Sequence, residues 1–429
     1  MKVGAASAVI TPPLGLAMDG YGARASGAVG IHDPLFARVL VAEGDDGTAV
    51  GLVVADLLHV GPRLQASVAD AVERSTGITR DRLQLVGTHT HSGPAFSEPS
   101  EVERAIGRTI VEIVERAWAE RRPTRAAVGV GRVEGIGANR RPHGGPVDDR
   151  VTVARFDDVG GRAIATLVNY GCHPTTLGPD NLLYSADYPG VACRAIEEVV
   201  GGVALFTTGP QGDVNPGGYS PEGSMVGVVV PWRTFESAAR YGQLVAECAV
   251  EVHETLRPVP ANRVWGDART LELTRKPLPD ASLARAASDI AQAAERATRE
   301  AGLSPDATYH ASVAAAYADL IAGQAADPER DGPVRVRISA LGLGPLTHVG
   351  VQGELFVALG QRIRARLGDE RSCIAALCDG TVGYIPTAEA FAEGGYEPNA
   401  SVLVPGEGER LVEAVVALVS RSSGVSSSA

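Results

Sequence analysis

The residues best suited to chemistry stand in Gly87-Thr88-His89-Thr90-His91-Ser92-Gly93-Pro94. Two histidines at i and i+2 follow an apolar run, Leu83 to Val86, that reads as a buried strand, and Gly93-Pro94 halts the chain behind them. Imidazole is the commonest protein ligand of zinc, and a second imidazole beside it can stand behind the ligand or carry a proton. An isolated H-x-H is equally well explained as a hydrogen-bonded polar turn. Three more features repeat the arrangement of a strand end and a turn with a ligand-type side chain: His173, Glu354 and the loop of Tyr384. Strand ends on one edge of an α/β sheet converge, so distant residues can share one cleft. Two histidines and a carboxylate leave a zinc ion an open position for water, as catalysis requires. On spacing alone, His32, His59, His143, His253, His310 and His348 stay rival ligands, although any one of them is more often an ordinary histidine.

The elements that must position these residues alternate strand and helix. Val39 to Ala42, Val50 to Ala55, Ala127 to Val133, Val151 to Phe156, Ala163 to Tyr170 and Val203 to Thr208 read as strands, with Asn139-Arg140-Arg141-Pro142 in a loop between two of them. Helices are expected at about 62–75 (closed by Gly77), 102–118, 189–199 and 237–256. The first 35 residues, rich in turn formers, read as surface loops. Residues 277–332, rich in Ala, Arg and Glu, read as an inserted helical hairpin. Strands follow at 333–341, 346–351 and 374–378. Glu354 is expected to open a helix to Leu367, and a long loop to span Asp379 to Val402, before a last helix at 408–420. The expected fold is α/β: a mixed sheet flanked by helices, with the site at strand ends, as one domain over 1–421 and a disordered Ser-rich tail over 422–429.

Composition narrows the function. With 39 basic against 51 acidic residues the net charge is −12, so no basic patch neutralises nucleic-acid phosphates or an anionic membrane. Only Lys2 and Lys276 are lysine, and neither sits in a phosphate-loop context, which argues against phosphoryl transfer and Schiff-base chemistry. Five scattered cysteines without C-x-x-C read as buried, reduced thiols. No apolar stretch reaches the ~20 residues of a membrane span, so no membrane anchor is expected. A small-molecule substrate is expected as partner; homo-oligomerisation is allowed.

The set G-I-H-D-P-L-F-A-R (30–38), G-T-H-T-H-S-G-P-A (87–95), N-R (139–140), H-P-T (173–175), G-D-V-N-P (212–216), G-E-L (353–355) and G-Y-I-P-T…Y-E (383–397) resembles the neutral/alkaline ceramidase family over roughly residues 3 to 405. The resemblance implies an amidase domain holding one Zn2+ per chain, with His89, His173, Glu354 and Tyr384 as ligands. It also implies roles around the substrate carbonyl for His91, Arg140 and Tyr396. Such a zinc keeps net positive charge and can activate water, while Arg140 and Tyr396 suit a developing oxyanion and His91 a proton transfer to the leaving amine.

Two departures shape the expectation. Asn215 stands where that family's G-D-V-S-P loop carries a serine implicated in catalysis; an amide can donate to an oxyanion but cannot act as a nucleophile. Neither that family's C-terminal β-sandwich nor its usual secretion signal is expected for this chain. The expected function is therefore a cytoplasmic zinc hydrolase that cleaves the C–N bond of a small acylated substrate through a metal-activated water. A zinc esterase or lactonase on the same scaffold is the first alternative, and a catalytically silent metal- or ligand-binding protein the second.

Overall fold

The computed structural model describes residues 1–22, 24, 26–96, 100–141, 143–217, 230, 232–277, 320–326, 331–369 and 371–423. Strands β1 (Lys2–Val9), β2 (Gly30–Ile31), β3 (Phe36–Glu43), β4 (Ala49–Ala55) and β5 (Leu83–Gly87) come first, with helix α1 (Pro62–Thr76) before β5. Next come α2 (Glu101–Ala119), β6 (Arg122–Arg132), β7 (Gly137–Asn139), β8 (Arg150–Asp158), β9 (Ala163–Tyr170), β10 (Leu183–Tyr184), α3 (Asp187–Val200), β11 (Val203–Thr208), β12 (Val214–Pro216), α4 (Phe235–Thr255) and β13 (Val259–Pro260). A second sheet brings β14 (Val264–Leu273), β15 (Val334–Leu343) and β16 (Leu346–Val351). The chain ends with β17 (Glu354–Leu355), α5 (Val357–Leu367), β18 (Cys373–Ala375), β19 (Tyr384–Ile385), α6 (Ala388–Glu393), α7 (Tyr396–Ala400) and α8 (Glu407–Ser423).

The main sheet runs β11-β9-β8-β6-β1-β3-β4-β5, with β13 on β6. It is mixed: β4–β5 and β9–β11 are parallel and the other neighbours antiparallel. Its two halves meet at β1–β6, where only Lys2 and Val3 pair across. Strand alternation then buries both faces. From β3, Ala37, Val39 and Val41 point to a core under α1 and α2, while Leu40 and Ala42 point to a central core. From β8, Val151 and Val153 join a core with α3 and α4, while Ala154 and Phe156 join the central one. The second sheet, ordered β14-β15-β16-β18, gives Leu341, Leu343 and Leu346 to the centre and Val336, Ile338 and Val349 to a core under α5 and α8. Three β walls, each backed by helices, thus enclose one apolar centre.

Local signals account for the helices. Pro62 sits in the first turn of α1, and Gly77 closes it in the left-handed region at φ 76°. Ser100 caps α2 by accepting from the Glu103 N–H, a contact worth about 1 kcal/mol, and Ile106, Ile110, Ile113, Val114 and Ala117 form its buried stripe.

Several expectations change. Residues 2–9 form a strand of the main sheet, not a surface loop: Ala, Gly and Ser hide the apolar alternation, and Gly4 packs so closely on the Ala117 carbonyl that no side chain fits. Strand β14, polar at Asp267-Ala268-Arg269, had no expectation at all. Glu354 lies on β17, and the helix begins only at Val357. The loop expected over 379–402 holds β19, α6 and α7. Helix α8 runs through Ser423, with the Ser422 hydroxyl donating 2.8 Å to Asp267 Oδ2. Apart from a helical stretch at 320–326, the expected insertion lies largely outside the described residues, as does the tail beyond 423. No cysteine is in a disulfide, and all but Cys248 are buried. Among the described residues no helix is long and apolar enough to cross a membrane.

Candidate active site

The histidine turn hangs from the end of β4. The Thr88 N–H donates 2.9 Å to Ala55 O and the His89 N–H 2.9 Å to Leu57 O. His89 adopts φ 69°, a left-handed conformation that costs a non-glycine residue about 1–3 kcal/mol and persists only where the surroundings enforce it. The twist carries the imidazole inward, leaving it 3% exposed. Nδ1–H of His89 donates 2.9 Å to Leu58 O, which turns Nε2 toward the site as a lone pair.

His173 is held the same way from the end of β9. Its Nδ1 lies 2.9 Å from Val214 O, and its Nε2 lies 3.0 Å from Glu354 Oε2. His89 Nε2 is 3.5 Å from that same oxygen. With a carbonyl at one ring nitrogen and a carboxylate at the other, His173 is either an imidazolium or a ligand sharing a cation with Glu354. Burial and the charge of Arg140 press its pKa down to about 4, against the imidazolium. Burial alone would raise the Glu354 pKa, but hydrogen bonds from His173 and His89 hold it well below the usual carboxylate value. One carboxylate oxygen between two oriented imidazoles is a donor set that suits a small divalent cation.

His91 differs from both. Its Nε2 is 3.3 Å from His89 Nε2, and metal-ligand atoms of His89, His91 and His173 all lie within 4.8 Å of one another. Yet its Nδ1 is buried without a hydrogen-bond partner among the described residues, so none of their carbonyls selects its tautomer as at the other two. Burial, then His89 and His173, drive its pKa well below 6.5, and the ring is neutral.

Glu354 reaches the site from β17, a short strand after β16 that pairs with β19 apart from both large sheets, so the residues do not come from one sheet edge as expected. Glu354 pairs with Tyr384 in the parallel β17–β19 ladder. The Leu377 N–H, itself left-handed at φ 56°, donates 3.1 Å to the carbonyl of Gly353 and fixes the approach. The Tyr384 hydroxyl accepts 3.1 Å from Arg140 Nη2–H, and burial next to Glu354 keeps the phenol neutral. Arg140 follows β7 and also donates 2.8 Å from Nε to Glu397 and 2.9 Å from Nη2 to Gly212 O. Tyr396 opens α7 with its ring 5.4 Å from that of Tyr384; burial and Glu354 push its pKa up to about 12. Asn215, fully buried, lies on β12 opposite Ala138 of β7, one residue past the carbonyl that holds His173.

Sequence reasoning missed the supports. Glu397, 1% exposed, accepts 2.8 Å from Arg140 and 2.8 Å from Arg141 Nη1. Asp213 accepts from Val357 N–H and Asn139, each at 2.9 Å, with burial raising its pKa to about 6. Acidic residues bonded to partners more than 70 positions away leave no local signal. The rivals fall elsewhere: His348 is buried beside Gln84, His32 stacks on Phe235 at 3.7 Å, and His253 sits on α4. His143 lies in the loop after Arg141, His59 follows the Leu58 that holds His89, and His310 is outside the described residues. Among the described residues, the His89–His91–His173 group is the one cluster fit for a metal.

Known proteins share this fold. The fold matches crystalline neutral ceramidase from Pseudomonas aeruginosa with a TM-score of 0.76 at 20% identity, over 97% of this chain and 73% of that one. Neutral ceramidase A of Dictyostelium discoideum is 27% identical over 48% of this chain and 34% of its own length. The neutral ceramidase of Mycobacterium tuberculosis is 28% identical over 52% of this chain and 41% of its own. The Drosophila melanogaster enzyme is 24% identical over 62% and 46%. The chain therefore spans between a third and a half of the length of these curated relatives. Residues 1–221, more than half of the chain, match the N-terminal region of the neutral/alkaline non-lysosomal ceramidases, and the chain belongs to that family.

Proposed function

We propose that the protein is a zinc-dependent amide hydrolase acting on an N-acylated amine of the ceramide type or smaller. The observation that carries this reading is the double fixing of His89 and His173. Each gives Nδ1–H to a backbone carbonyl and turns Nε2 toward the same Glu354 oxygen. His89, His173 and Glu354 would hold the zinc, with the neutral Tyr384 phenol as a weaker fourth donor. Zinc in such a site supplies Lewis acidity, enough to bring a water's acidity toward neutrality and to polarise a carbonyl. Arg140, pinned by Glu397, keeps a positive charge beside the cluster, and with Tyr396 it can stabilise negative charge growing on the acyl oxygen. His91, neutral and with no carbonyl on Nδ1, is the group able to pass a proton to the departing nitrogen.

Ester or lactone cleavage is a second reading, favoured by Asn215 in place of a serine. An alkoxide leaves more readily than an amine and depends less on proton delivery. The deciding experiment loads purified protein with zinc and screens N-acyl amino alcohols, ceramides, esters and lactones, scoring released amine or acid. Amine release that chelation abolishes and zinc restores supports the amidase. Turnover of esters alone supports the second reading, and no turnover on any substrate supports a silent binding protein.

A further inference from the structure

His91 lacks the carbonyl that orients each of its neighbours, so something else must aim it. Its ring lies against the backbone of Gly20, which sits at φ 100°; a side chain there would begin 2.5 Å from His91 Nδ1. Tyr21 covers the ring next to this, with centroids 4.8 Å apart and planes tilted by 50°. The Tyr21 hydroxyl donates 2.7 Å to Leu177 O and accepts from Arg233 Nη2–H. Arg233, 6% exposed, also donates 2.9 Å to Leu177 O and 3.0 Å from Nε to Thr175 O, and its guanidinium lies 5.1 Å from the Tyr21 ring centroid. Thr175 N–H in turn donates 2.9 Å to His173 O. One buried cation therefore grips the wall behind His91 and the loop that carries His173.

We infer that Tyr21 and Arg233 are positioning residues for His91, a clamp that sets the angle of its ring against the substrate and couples that angle to the His173 loop. The inference rests on the proposed role of His91 as proton carrier. Packing fixes where the ring lies, while the absence of a hydrogen bond at Nδ1 leaves its tautomer able to change during a proton transfer. A carbonyl at Nδ1, as at His89, would lock that tautomer. A hydroxyl-to-carbonyl bond and a bidentate guanidinium supply rigidity without touching either ring nitrogen.

The test combines Tyr21→Phe, which keeps the ring and loses the hydroxyl, with Arg233→Lys and His91→Ala. Tyr21→Phe should lower kcat about 10–100-fold, as small misalignments do, with KM and zinc content near wild type. In the His91→Ala background the same change should cost less than about 2-fold, because residues acting through one another are not additive. Equal losses in both backgrounds would overturn the clamp while leaving the role of His91 intact. Full activity in His91→Ala alone would instead sink the proton-carrier reading. A readout independent of turnover is the histidine ring NMR spectrum of the zinc-loaded protein. The His91 signals should shift or broaden in Tyr21→Phe and Arg233→Lys while those of His89 hold; unchanged His91 signals in both variants overturn the inference.

Discussion

Glu354 and Tyr384 stand side by side as Cα partners in a parallel ladder only two residues long. A side chain from each of these neighbouring strands faces the histidine cluster, and neither strand has a role in the main sheets. Such a short ladder contributes little stability. What it does is place a carboxylate and a phenol in register, held by the Glu354 N–H donating 2.9 Å to Gly383 O and the Phe356 N–H donating 3.2 Å to Ile385 O.

If these residues form a metal site, elemental analysis should find about one zinc per chain. His89→Ala and His173→Ala should each lose most of it, because a site short of one neutral imidazole binds far more weakly. Glu354→Gln should do the same, since it removes the anionic oxygen that lies between the two rings. Full zinc occupancy in both histidine variants would refute the ligand assignment.

His91 should separate from its neighbours in that assay. As a proton carrier, His91→Ala should keep its zinc and lose about 10²–10⁴-fold in kcat. Loss of the metal in this variant would place His91 among the ligands, a role its 3.3 Å approach to His89 Nε2 allows.

Much of this was legible in the chain, and the reason is local. Helices α1 and α2 announced themselves through Pro62, Gly77 and an Ile stripe, and β9 and β11 through short, mostly apolar runs. The His89 turn and His173 showed because a reactive side chain followed a recognisable strand. Strand β1 did not show, because Gly4 and its Ala neighbours serve close packing rather than apolar alternation. Glu354 was recognised as a residue but misplaced on a helix, since nothing near it foretells a parallel pairing with Tyr384 thirty positions on. Tyr21, Arg233 and Glu397 stayed hidden for the same reason: Tyr21 meets Leu177 across 156 positions and Arg233 across 212.

Acid stability should depend on His348, on β16 beside Gln84. It is fully buried, donates 2.6 Å from Nδ1 to Gln84 Oε1, and burial depresses its pKa from 6.5 to about 3. Between those values the unfolded chain binds a proton that the folded chain does not. Its contribution is therefore intact above pH 6.5 and is lost as pH falls toward 3, with a slope of up to about 1.4 kcal/mol per pH unit. Urea unfolding from pH 7.5 to 4.5 should show His348→Gln less stable at pH 7.5 but shallower in its pH dependence by about one proton. Parallel curves for the two proteins would show that His348 takes up its proton in the folded state as readily as in the unfolded one, against this account.

Asn215 carries the riskiest expectation. It sits in a stretch from β11 to β12 that touches several parts of the site: Thr208 Oγ1 donates 2.6 Å to Thr88 O, Gly212 O accepts from Arg140, and Val214 O holds His173. Fully buried on β12, Asn215 is either a donor to the acyl oxygen or a strand residue that sets the chain before Pro216. As a donor, its loss in Asn215→Ala should cost about 10²–10³-fold in kcat, with zinc content and thermal midpoint unchanged. As a strand residue, its loss should lower the midpoint and leave turnover per folded molecule alone. Asn215→Ser then asks whether the residue sets the substrate. If the serine variant gains activity on N-acyl sphingoid bases while losing it on the wild-type substrate, position 215 selects the acylated amine. If both variants turn over normally, the loop acts only through its backbone, by holding His173 and Arg140.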